Sequence, residues 1–137
     1  MPFLIDTDWV IDYLAGVQTA LALLDSRATD GISISVITYM EVYQGVERSP
    51  NARRAGIQFD SFLEAVPVLS LSLAVARRCA NVRNTLKQQG RRVSSRALDL
   101  IIAATAIEAG LTLLTRNVDD YKDIPGLQIA PLLRNGQ

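Results

Sequence analysis

The sequence predicts an α/β fold: a central, mostly parallel sheet of four to five strands flanked by helices, in one domain spanning residues 1–137. Three observations carry this. Short, uniformly apolar runs such as Phe3-Leu4-Ile5 read as buried strands. Segments with helical spacing separate those runs. The five prolines are scattered, and no repeat or low-complexity tract divides the chain.

Each element follows from local chemistry. The first strand stops at Asp6-Thr7-Asp8, residues suited to cap a helix. That helix runs from Trp9 to Leu14 and ends near Gly16. A second spans 18–29, with Leu21, Leu24 and Ala28 on one face. Ile32-Ser33-Ile34-Ser35-Val36 alternates with period two, as a strand does. Residues 37–47 and 52–64 are helical, and Val66 to Leu69 is a third strand. A long helix covers 72–89 and stops at Gly90; a polar, basic loop follows over 90–95. Ala97 to Ala109 is an apolar helix closed by Gly110 at its C′ position. Leu111 to Leu114 is a fourth strand and Leu127 to Ile129 a fifth.

Composition narrows the chemistry. With no histidine and one cysteine, His-based acid–base catalysis, a Cys–His pair and a structural zinc cluster are all excluded. Cys79 has no partner for an internal disulfide and reads as a small buried residue. No apolar run approaches the length of a membrane span, and the opening residues lack a basic segment followed by an apolar core. The expectation is a soluble cytoplasmic domain.

The chain carries 14 basic and 14 acidic residues, but they are segregated. Residues 1–50 hold seven acids against two bases, 51–98 nine bases against two acids, and 99–137 five acids against three bases. Such asymmetry points to a charged partner.

In parallel α/β folds ligands bind beyond the carboxyl ends of the strands. The first strand ends at Asp6. The fourth ends at Thr115-Arg116-Asn117, with Asp119 and Asp120 close behind. Asp99 opens an otherwise apolar helix, and Glu41 lies in the apolar stretch Val36 to Tyr43. Each acid alone has an ordinary reading: a cap, a macrodipole partner, an exposed stripe, a turn residue. Their conjunction points to one shared acidic site. Two carboxylates at ~4 Å repel by ~4 kcal/mol at an effective dielectric of ~20, so such a site calls for a cation or shifted pKa values. Oxygen donors suit Mg²⁺ or Mn²⁺, and those ions serve phosphoryl transfer and phosphodiester hydrolysis.

The basic segment has two readings. Lys87, Arg91, Arg92 and Arg96 lead directly to Asp99, and such residues contact phosphate without reading sequence. They equally suit a solvated helix end. Arg77 and Arg78 read as helix surface and Trp9 as core. Arg116 follows the fourth strand on the same edge as the acids, a substrate-side position.

These residues resemble the PIN-domain family, specifically the VapC-type toxins of toxin–antitoxin pairs. The resemblance rests on Phe3-Leu4-Ile5-Asp6-Thr7-Asp8, on Glu41, on Asp99-Leu100-Ile101-Ile102-Ala103-Ala104-Thr105-Ala106, and on Leu113-Leu114-Thr115-Arg116-Asn117-Val118-Asp119-Asp120-Tyr121. Ile124-Pro125-Gly126-Leu127 also fits, so the match runs in order over residues 2–130. It implies a three-layer PIN-like fold and a metal-dependent endoribonuclease. By that resemblance Asp6, Glu41, Asp99 and Asp120 are the catalytic acids, with Asp6 and Asp99 as direct metal ligands and Mg²⁺ as the cofactor, Mn²⁺ substituting. Thr115 and Asn117 shape the site, and Thr7, Arg96, Arg116 and Asp119 stand on its substrate side or support it. Asp119 remains open as the fourth acid. Asp8 stands where the family commonly has Asn, and its role is unassigned. The implied reaction is in-line attack of a metal-activated water on an RNA phosphodiester, leaving a 5′-phosphate and a 3′-hydroxyl. The implied partners are RNA, a VapB-type antitoxin and a second copy of the chain. Val10, Tyr13, Leu14, Leu21 and Leu24 on the first helices offer either an antitoxin groove or plain core.

Rival readings are a catalytically idle PIN fold used for binding, and a haloacid-dehalogenase-type phosphatase using Asp6 and Asp8. The phosphatase lacks a Lys before Asp119 near the fourth strand and leaves Glu41 and Asp99 unexplained. A receiver-type phosphoacceptor lacks an Asp after the third strand.

Overall fold

The computed structural model describes residues 2–131. Arg134, counted in the charge of the last segment, lies outside the described residues. In chain order the elements are β1 (Phe3–Ile5), α1 (Thr7–Leu14), α2 (Gln18–Arg27), β2 (Ile32–Ser35), α3 (Val36–Arg48), α4 (Ala52–Leu63), β3 (Val68–Leu69), α5 (Leu73–Gln88), α6 (Ala97–Ala109) and β4 (Thr112–Leu114). Single 3₁₀ turns occupy Ala28–Asp30, Ser94–Arg96 and Val118–Asp120.

The four strands form one sheet in the order β3-β2-β1-β4, and every pair is parallel. Phe3 aligns with Ile32 on one side and Thr112 on the other. Because successive side chains alternate across a strand, each strand feeds two cores. Leu4 and Leu113 pack with Val75, Val82 and Leu86 of α5 and Leu100 and Ala103 of α6. Ile5, Ile34 and Leu114 pack on the other face with Val10, Leu23 and Leu24 of α1 and α2 and with Val42 and Phe59 of α3 and α4. The result is three layers, helices on both faces of a parallel sheet, as the sequence predicts.

Several boundaries differ for identifiable reasons. The second strand stops at Ser35, one residue early, because the Ser35 hydroxyl accepts the Thr38 amide at 3.1 Å and starts α3. The third strand begins at Val68 rather than Val66, since Pro67 has no N–H to give the ladder; its carbonyl still accepts from Ile34 at 3.0 Å. Ala20, Leu23 and Leu24 form the buried face of α2, and Ala28 is exposed. The expected fifth strand is a single parallel bridge, Leu113 to Ile129. Gly110 adopts the left-handed conformation, φ 68°, that terminates α6.

Candidate active site

The parallel register sets the site. Ile5 pairs with Leu114, so the next residues, Asp6 and Thr115, emerge side by side at the carboxyl edge of the sheet. Asp6 caps α1: its Oδ1 accepts the Thr7 amide at 2.9 Å. The Thr115 hydroxyl donates to Asp6 Oδ2 at 2.7 Å. Both residues are buried.

Asp99 stands in the first turn of α6, which brings it to the same edge. The buried Tyr121 hydroxyl joins it to Asp6, lying 3.3 Å from Asp6 Oδ1 and 3.3 Å from Asp99 Oδ1. Glu41, in the second turn of α3, is reached through hydroxyls. Thr7 Oγ1 donates to Glu41 Oε1 at 2.6 Å. Having given its one proton there, Thr7 accepts from Thr38 at 3.0 Å, and Thr38 accepts from Ser35 at 3.4 Å. Every proton in this chain runs toward the Glu41 carboxylate.

The electrostatics report the same convergence. Burial pushes the Asp6 carboxyl above its ordinary range, against the stabilising bonds from Thr115 and Thr7, and Asp8 adds repulsion. Asp99 is pushed up by burial and then by the charge of Asp6, with Asp120 and Glu41 contributing further repulsion. Burial and the two neighbouring carboxylates push the Tyr121 phenol far above its ordinary range, so it remains a proton donor.

Asp6, Asp120 and Glu41 therefore each bear on Asp99. Asp119 does not join them: its carboxylate is exposed and pairs with Lys122 at 2.9 Å. Asn117 donates to Asp8 Oδ2 at 3.0 Å through its side chain and to Thr115 Oγ1 at 3.0 Å through its backbone. Arg116 lies 4.1 Å over the Trp9 ring and pairs with Asp12 at 2.7 Å, at the rim of the same edge. Trp9 is buried, as expected of a core residue.

Of the two places expected for Arg96, beside the substrate or in support of the site, its burial fits the second: it is 5% exposed. It turns inward, donating to both carboxylate oxygens of Asp123 at 2.8 Å and to the Asp120 carbonyl at 3.0 Å. Arg91 and Arg92 also face acids, Asp123 at 3.7 Å and Asp120 at 3.8 Å. This part of the basic segment neutralises the acidic turn that follows β4.

Sequence reasoning missed Tyr121, Thr38, Ser35 and Asp123. Ser35 is N-cap chemistry just ahead of the helix that carries Glu41, and that signal was available. Nothing in the sequence separates Tyr121 from a core aromatic.

The donor set fits a hard divalent cation. Asp99 Oδ2 and Glu41 Oε2 carry no hydrogen-bond partner among the described residues, and Asp6 Oδ2 accepts only one. Among the described residues no three carboxylates form a closed cation cage. The acids are spaced by hydroxyls instead, which suits an ion that keeps part of its water shell.

The PIN domain family model matches residues 3–127. "Ribonuclease VapC1" of Rickettsia felis is 36% identical over 100 residues, 70% of this chain and 72% of that protein. "tRNA(fMet)-specific endonuclease VapC" of Shigella flexneri is 27% identical over 93% of this chain and 96% of its own length. A solved VapBC2 from Rickettsia felis bound to a promoter DNA fragment superposes with a TM-score of 0.84, at 25% identity, over 97% of this chain and 100% of that one. With a parallel three-layer fold and acids gathered at its carboxyl edge, the chain belongs to the PIN-domain family, among its VapC-type members.

Proposed function

We propose that the chain is a divalent-metal-dependent endoribonuclease toxin, inhibited by a VapB-type antitoxin. One observation carries this most: Asp6 and Asp99, from different ends of the chain, meet on one buried hydroxyl at the carboxyl edge of the sheet. Asp6 and Asp99 would hold Mg²⁺, or Mn²⁺ in its place, with Glu41 and Asp120 near. When bound, the ion supplies Lewis-acid stabilisation of phosphate charge and a water of lowered pKa.

The chain's own residues prepare that site. Thr115 and the Thr7 amide fix the Asp6 carboxylate from two directions. Thr7 orients Glu41 through Oε1 and leaves Oε2 as the acceptor for a proton from water. Asn117 holds Asp8, and Arg116, braced on Trp9 and paired with Asp12, would meet an RNA phosphate.

The antitoxin reading rests on a groove of about 1180 Å³ between α1, α2 and α4, at the opposite edge of the sheet. Tyr13, Leu14, Leu21, Ile57 and Phe62 line it. Val10, by contrast, is core. Homodimerisation and hetero-oligomers with the antitoxin fit the exposed Met40, Tyr43 and Leu73. No helix among the described residues is long and apolar enough to cross a membrane, and a cytoplasmic location suits an RNA substrate.

The test is cleavage of a tRNA pool by purified protein with Mg²⁺, with Mn²⁺ and with EDTA, beside Asp6→Asn and Asp99→Asn. Cleavage confined to the wild type with metal supports the proposal; cleavage that persists in EDTA or in both variants overturns it.

A further inference from the structure

The Tyr121 hydroxyl carries one proton and faces two carboxylates at equal distance. The residue is 1% exposed. On Asp6, Oδ1 accepts both the Thr7 amide and Tyr121, while Oδ2 accepts Thr115 alone. On Asp99, Oδ1 accepts Tyr121, and Oδ2 has no partner among the described residues. The phenol thus shares its one proton between one oxygen of each carboxylate, a three-centre contact at 3.3 Å to both. The remaining acceptor capacity of the pair lies on the two Oδ2 atoms.

The phenol is itself held. Tyr121 follows the turn Val118–Asp120, whose last carbonyl accepts from Arg96, and Arg96 also grips Asp123 two residues on. The ring packs in the core with Leu4, Leu100 and Leu113. Its position is therefore fixed by residues that do not touch the two carboxylates.

We infer that Tyr121 is a positioning residue for cation binding: by tying Asp6 Oδ1 to Asp99 Oδ1 it sets the spacing of the two carboxylates and leaves Oδ2 of each to the ion. This deepens the metal-site reading above and rests on it. Two like charges left without that bridge separate, because each gains by moving away from the other. A pair set apart in advance would have to be drawn together on binding, and affinity falls accordingly.

The test is a titration with Mn²⁺ alone, read by electron paramagnetic resonance of free and bound ion, on wild type, Tyr121→Phe and Asp99→Asn. Phenylalanine keeps the ring and removes only the bridge. Circular dichroism and a thermal melt check the fold. If Tyr121→Phe melts too early, the titration of all three proteins is repeated in sucrose, which favours the folded chain by exclusion from its surface. The expected result is Mn²⁺ binding by Tyr121→Phe about tenfold weaker than by wild type, the lower end of what outer hydrogen-bond partners contribute, with an altered bound-ion spectrum. Binding within twofold of wild type, or tighter, overturns the role of Tyr121. A wild type that binds no Mn²⁺, or an Asp99→Asn variant that binds as wild type does, overturns the metal site itself.

Discussion

Arg96 grips Asp123 with both terminal nitrogens at 2.8 Å, and this pair holds the segment after β4 against the start of α6. The Arg96 guanidinium keeps the Asp123 carboxyl below its ordinary range. Removing the buried Arg96 leaves the half-buried Asp123 with only the longer contact to Arg91 at 3.7 Å. Arg96→Met is expected to cost about 3 kcal/mol in a urea unfolding titration. Arg77→Met, at an exposed position on α5, is the comparison and is expected to stay within about 0.5 kcal/mol.

The hydroxyl chain from Ser35 to Glu41 gives a second expectation. Thr7→Val removes the donor to Glu41 and the acceptor for Thr38. The loss should be about 1–3 kcal/mol of stability, with a fall in RNA cleavage rate. Thr7→Ser keeps the hydroxyl and should restore most of the rate. Equal rates for the two variants would show that the hydroxyl does nothing for Glu41.

The raised pKa values of Asp6 and Asp99 set a pH dependence for the metal-free protein. Each binds its proton more tightly folded than unfolded, where the ordinary value is 3.8. The stability this supplies is complete below that value and is lost as pH rises through the folded pKa. Asp123 has the opposite sign: its contribution is present above 3.8 and is lost as pH falls through its lowered folded value. In EDTA, the melting temperature of Asp99→Asn minus that of wild type should therefore rise from pH 4 to pH 7. A difference that stays flat would contradict the raised Asp99 pKa.

Arg116 offers a fourth expectation. Arg116→Ala should weaken RNA binding and reduce its salt slope by roughly one. Mn²⁺ binding should be unchanged, since Arg116 pairs with Asp12 rather than with Asp6 or Asp99. A variant that binds RNA with the wild-type salt slope would remove Arg116 from the substrate path.

Much of this architecture is legible in the sequence, because apolar runs and caps are local signals. Phe3-Leu4-Ile5 before Asp6 announces both the buried strand and its turn into a helix. Asp6, Glu41 and Asp99 stand out because carboxylates in apolar surroundings are costly. The choice between Asp119 and Asp120 is not legible, since it depends on which way a short turn faces; the structure sends Asp119 to Lys122 and leaves Asp120 near Asp99. Arg96 misleads for a similar reason. A basic run looks like a phosphate track until its acidic partner, 27 residues on, is seen in space. Tyr121 is the plainest case: a tyrosine in the core gives no sign in sequence that its hydroxyl meets two acids.

The central claim is that Asp6 and Asp99 together bind the ion on which RNA cleavage depends. Crystals soaked in Mn²⁺ and measured at the manganese absorption edge test it directly. The account predicts an anomalous peak at a coordination distance of about 2.1 Å from a carboxylate oxygen of each residue, absent in Asp99→Asn. A soaked crystal of active protein with no peak at these two carboxylates would contradict it.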